Sequence, residues 1–151
     1  MNKTVSIIII AITFIWAGMI CGISFLEAPL KFQAPGITLP LGLGIGKLVF
    51  GALTKIEMTF SLFIITCLLL SKAQFKTWKL FVLPILIVII DNALLMPILD
   101  ARIDLILSGV NPPESSAHWW YIGLELIKLI SLVFAGVVFS KRLLNFTQSD
   151  L

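Results

Sequence analysis

The chain has 151 residues, of which 59% are hydrophobic and only 13% charged, with a mean hydropathy of +1.08 and a formal net charge of +3. Soluble domains carry about 25% charged residues, so this chain has too few polar groups to cover a surface facing water. The composition excludes a soluble enzyme or a nucleic-acid binder and specifies a protein of the lipid bilayer.

The predicted fold is all-α: four transmembrane helices in an up-down bundle, forming one domain over residues 1–151. Each span must supply about 20 apolar residues to cross a hydrocarbon core of roughly 30 Å. The first span covers 5–26 and contains no charge. It follows Lys3, but its apolar run exceeds the roughly 7–15 residues of a signal peptide, so it is expected to remain as a helix. It carries Cys21, and the second span carries Cys67. Their expected positions, near opposite ends of the bundle, preclude a disulfide.

Between the first two spans the sequence reads EAPLKFQAPGITLPLGLGIGK. Pro29 and Pro35 argue against a regular helix, while the glycines and apolar residues argue against a solvated loop. Irregular backbone at membrane depth is tolerated where it is buried in protein or lines a cavity. The expectation is therefore a Pro/Gly-rich re-entrant or lid-like loop that presents Glu27 and Lys31 to a site below it. The GLGIGK run does not match a phosphate-binding loop.

The second span, 48–70, is interrupted by Lys55 and Glu57. Thr54, Glu57, Met58 and Ser61 share a face, and Lys55 lies off it. The third span, 80–99, contains Asp91. The loop after it is more polar, with Asp100, Arg102, Asp104 and the break Asn111-Pro112-Pro113. The fourth span, 118–140, gives the sharpest pattern. His118, Tyr121, Glu125 and Lys128 fall at i, i+3, i+7 and i+10, within a sector of roughly 80° at about 100° per residue.

Basic residues set the expected orientation. Lys3, Lys72, Lys76, Lys79, Lys141 and Arg142 lie at one end, and Lys31, Lys47 and Arg102 at the other. Both termini are therefore expected in the cytoplasm of a cell with an inner or plasma membrane, with Asp150 the one acid on that side. Counted from the outer ends, Lys55, Glu57, Asp91, Glu125 and Lys128 share one layer, about 10–15 Å deep at 1.5 Å per residue, with Glu27 above them. An ionisable side chain at such depth costs at least about 2.5–3.5 kcal/mol, so these groups must face one another or a wet cavity.

The first helix ending in Ala28-Pro29-Leu30-Lys31-Phe32, the glycine-rich entry to the second and the histidine opening the fourth resemble small four-helix bacterial membrane proteins. These are distantly similar to copper-resistance D-like membrane domains. The resemblance implies the four-helix fold and no particular activity. With one histidine and no Met- or Cys-rich tract, neither copper handling nor a zinc site is supported; no metal site or cofactor is assigned.

Three functions compete. In the first, Glu27, Lys31, Glu57, Asp91, His118, Tyr121, Glu125 and Lys128 bind or transport a small cationic, proton-coupled or lipid-like ligand. With no evident inverted repeat, alternating access would then call for a homo-oligomer. The second is an intramembrane enzyme with Glu125 or Asp91 as base and His118 or Tyr121 as proton donor. In the third, a structural or accessory subunit, the charges merely neutralise each other, with Lys55 pairing Asp91 and Lys128 pairing Glu125.

Overall fold

The computed structural model describes residues 2–149, with side chains described through residue 145; Asp150 lies outside the described residues. Four long helices account for the fold: α1 (Lys3–Gln33), α2 (Leu39–Leu70), α3 (Phe75–Leu107) and α4 (Ala117–Ser149). All four are long and apolar enough to cross a membrane. Each packs against the next and α4 closes on α1, so α1 and α3 stand on one diagonal of the bundle and α2 and α4 on the other.

The helices outrun the apolar runs, most of all at the end where α1 meets α2 and α3 meets α4, while α2 stops at Leu70 as its run does. A 32-residue helix is about 48 Å long at 1.5 Å per residue, whereas an apolar run marks only the part that crosses hydrocarbon. This difference overturns the expected lid. The stretch from Glu27 to Gln33 is helical, residues 34–38 alone link α1 to α2, and LPLGLGIGK is the opening of α2. Thr38 caps α2, its hydroxyl accepting from the Leu41 N–H at 3.4 Å. Pro40 occupies the first turn, where its missing N–H removes no helical bond.

Glycine is kept inside this helix because α1 lies against it. A Cβ on Gly42 would run into the Phe32 ring, and one on Gly46 would sit 3.0 Å from the Lys31 ammonium. Small residues let helices approach this closely in membranes. Gly36, at φ 81°, makes the turn of the short link.

Pro29 does not break α1. A proline in a helix lacks its N–H and clashes with the carbonyl four residues back. Here the preceding backbone widens into a π-helical turn over Cys21–Glu27. Helix α3 repeats the device, with a π turn over Asp91–Leu95 just before Pro97. Such turns are rare and often sit at functional positions.

The bundle is packed tightly towards the basic end, where Ile9, Ile64, Leu68, Phe81 and Leu132 are fully buried. Phe14 lies across Gly136, bringing α1 close to α4. The outer surface is apolar, with Leu62, Ile89, Ile130 and Phe134 each more than half exposed. In water such a surface would be a liability; in lipid it is the solvated side. Lys72, Lys76, Lys79, Lys141 and Arg142 gather at the end that holds the N-terminus, where the Arg142 guanidinium donates to the Lys76 carbonyl at 3.2 Å.

Candidate functional site

Four charges meet in the interior. The Lys128 ammonium lies 2.9 Å from Glu57 Oε2, 3.1 Å from Asp91 Oδ2 and 2.5 Å from Glu125 Oε1. Side-chain exposure is 0% for Lys128 and at most 2% for the three acids. Helices α2, α3 and α4 thus each supply an acid, and α4 also supplies the base. Helix α1 contributes no charge but two hydrogen bonds. The Trp16 indole N–H donates to Glu57 Oε1 at 2.8 Å, and the Ser24 hydroxyl donates to Glu125 Oε2 at 2.9 Å.

Local geometry explains the convergence. Glu125 and Lys128 are three residues apart in α4 and point to the same side. Asp91 opens the π turn of α3, and Ser24 lies within that of α1. Both widened turns therefore deliver polar groups to the centre.

The centre is not balanced. One ammonium against three carboxylates leaves a formal charge of −2 when all are ionised. Two oxygens nearby are buried without a hydrogen-bond partner: Asp91 Oδ1 and Ser61 Oγ, the latter one turn from Glu57. The idealised cost of moving a carboxylate from water to a low dielectric is about 20 kcal/mol, and several kcal/mol persist after relaxation. An uncompensated excess of this kind is costly in so buried a place.

Tyr121 sits one helical turn above Glu125, 5% exposed, with its ring edge-on to Phe50 at a centroid distance of 5.6 Å. The next level up is a second ion pair. Lys31 Nζ donates to Glu27 Oε2 at 3.4 Å and rests 5.3 Å over the Phe50 ring. Glu27 and Lys31 therefore form a separate upper layer, divided from the buried centre by Phe50 and Tyr121.

Of the sequence-derived candidates, Glu57, Asp91, Glu125 and Lys128 come together, with Tyr121 capping them. Lys55 does not join: it is exposed on the lipid side of α2, and Asp91 takes Lys128 instead. His118 is exposed at the start of α4 among Trp119 and Trp120, which are 73% and 67% exposed, so its ring is remote in character from the buried centre. Ser24 and the donor role of Trp16 were not foreseen. Their signal in the sequence is faint: an uncharged span in which Thr13, Trp16 and Ser24 are polar near one face.

No group of acidic, histidine or cysteine side chains among the described residues forms a metal site. Away from the centre, Arg102, Glu114, Ser115 and Ser116 line an open surface cavity of about 530 Å³. There Arg102 donates to the Pro113 carbonyl, tying the loop before α4 to α3. Comparison with protein-family models, curated proteins and solved structures finds no match. The functional reading rests on the geometry.

Proposed function

We propose that this multi-pass membrane protein, with both termini in the cytoplasm, binds and releases protons at the Glu57–Asp91–Glu125–Lys128 centre and couples them to a small cationic ligand. The observation that carries this reading is the excess of two buried carboxylates over the single ammonium. A site built only to be neutral needs one acid for one base. Excess acids held in apolar surroundings approach neutrality by taking up protons, and release them again when a cation enters or water gains access.

The direct contacts around Lys128 favour the structural reading as the alternative, because ion pairs within bundles sometimes serve only to fix register. The intramembrane enzyme keeps only Tyr121 as its proton donor, since His118 stands outside the centre.

Infrared difference spectra of the protein in lipid, recorded across a pH titration, test the proposal. A protonated-carboxyl band that grows on acidification and shrinks in Glu57→Gln and Glu125→Gln is the expected result. A centre with no such band at any accessible pH is purely structural.

A further inference from the structure

The two π turns lead further. The turn in α1 ends at Glu27 and that in α3 at Leu95, each followed two residues later by proline, at Pro29 and Pro97. Both pairs are separated by 68 residues (95 − 27 and 97 − 29). The same interval separates Glu57 from Glu125 (125 − 57), the acids of α2 and α4. Burial keeps the register: Trp16 with Pro84, Leu53 with Tyr121 and Ile64 with Leu132 are buried at both members of each pair. The interval relates α1 to α3 and α2 to α4, the two diagonals of the bundle. A two-fold axis along the bundle would exchange them.

We infer that the chain is a tandem repeat of two helical hairpins, α1–α2 and α3–α4, and that Glu57 and Glu125 form a proton-released latch between them. This deepens the reading of the centre as a proton site and rests on it. Parallel repeats related by an axis along the membrane normal are one architecture of transporters, which bind ligand near the midplane between the repeats and work by moving one against the other. With two repeats in one chain, a single copy of the protein supplies both moving bodies.

The bonds sort by hairpin. Trp16 to Glu57 lies within the first hairpin, and Lys128 to Asp91 within the second. The two glutamates make the polar bonds that cross at the centre: Glu57 to Lys128, and Glu125 to Ser24. A proton on Glu57 removes its charge from Lys128, which keeps Asp91 as its own partner. A proton on Glu125 likewise weakens its hold on the Ser24 hydroxyl. Both losses loosen one hairpin from the other, while within the hairpins Lys128 keeps Asp91 and Trp16 still donates, more weakly, to the uncharged Glu57 oxygen. The asymmetry lies in Asp91 and Lys128, whose counterparts in the first hairpin are Ile23 and Phe60 (91 − 23 and 128 − 60). The titratable or charged groups around the latch are Asp91 from α3, Lys128 and Tyr121 from α4, and Glu27 and Lys31 one level up on α1. Above it, Phe50 of one hairpin meets Tyr121 of the other, and further out Lys47 of the first hairpin pairs with Asp104 of the second.

Distance measurements between spin labels on the full-length protein in lipid test the inference. Cys21 and Cys67 are replaced by serine. One labelled pair spans the hairpins at the exposed positions 48 and 119, and a control pair at 107 and 120 lies within the second. The cross-hairpin distance should lengthen on acidification while the control holds, and Glu57→Gln/Glu125→Gln should show the long distance at neutral pH. If the carboxyl band titrates but the cross-hairpin distance stays fixed, the latch is overturned and the proton site stands. If neither changes, both fall. Equal changes in the two pairs, or a double variant that stays short, overturn the latch as well; a double variant that fails to fold leaves the decision to the wild-type distances.

Discussion

Glu57 and Glu125 stand on diagonally opposite helices, α2 and α4, and grip the same Lys128 ammonium at 2.9 and 2.5 Å. Each also accepts a hydrogen bond from α1, from Trp16 and from Ser24. A helix without a single charge in its spanning part thereby joins the charged centre. The arrangement ties all four helices to one point, with Asp91 of α3 as the remaining tie.

Removing the base should be the most damaging single change. Lys128→Met keeps the length of the side chain but leaves three buried carboxylates with no counter-charge. Breaking a buried pair by deleting one partner costs about 3–5 kcal/mol. We expect a large fall in melting temperature for Lys128→Met in detergent, measured beside the wild type. A melting temperature within error of the wild type would mean that the centre is solvated.

The two donors of α1 and the partnerless Ser61 make an internal comparison. Trp16→Phe and Ser24→Ala each remove a hydrogen bond to a carboxylate, worth about 1.5–3 kcal/mol when one partner is charged. Ser61→Ala removes a buried hydroxyl that has no partner, so it should be neutral or stabilising. Thermal denaturation of the three variants side by side gives the order. Ser61→Ala falling below Ser24→Ala would indicate that a water or ion occupies the space beside Ser61.

Much of this was legible in the sequence, and the misses have physical causes. Charges inside apolar runs are so costly that Glu57, Asp91, Glu125 and Lys128 announced themselves, and the spacing of Tyr121, Glu125 and Lys128 placed them on one face. The link between α1 and α2 was misread because proline and glycine are breakers in water. In α1 a π turn accommodates Pro29, and in α2 the glycines are held by the side chains of Phe32 and Lys31. Lys55 against Lys128 was undecidable from depth alone; only the facing of each helix settles it. The 68-residue repeat left almost no shared residues, and it shows only when backbone geometry and burial are set beside Glu57 and Glu125.

His118 and Lys55 separate the centre from its surroundings. Both are exposed, and exposed substitutions away from special features usually fall within about 0.5 kcal/mol. His118→Ala and Lys55→Gln should leave both the melting temperature and the titrating carboxyl band unchanged. Loss of the band in His118→Ala would bring the histidine into the proton path and revive an enzymatic role.

The contact between Phe14 and Gly136 sets how closely α1 approaches α4 below the centre. An added Cβ at Gly136 would lie 2.8 Å from Phe14 Cζ, closer than carbon atoms pack. The obstacle is the end of a ring on a side chain that is 41% exposed, so Gly136→Ala can be absorbed by rotation of Phe14 into lipid. A larger group cannot be absorbed this way, and overpacking costs about 1–3 kcal/mol. Gly136→Leu should therefore lower the melting temperature clearly, while Gly136→Ala barely moves it. Because Ser24 and Trp16 ride on the displaced helix, Gly136→Leu should also weaken their bonds to Glu125 and Glu57. Phe14→Ala in the Gly136→Leu background should recover much of the loss. A double variant no better than Gly136→Leu alone would show that the strain falls on the backbone rather than on this ring.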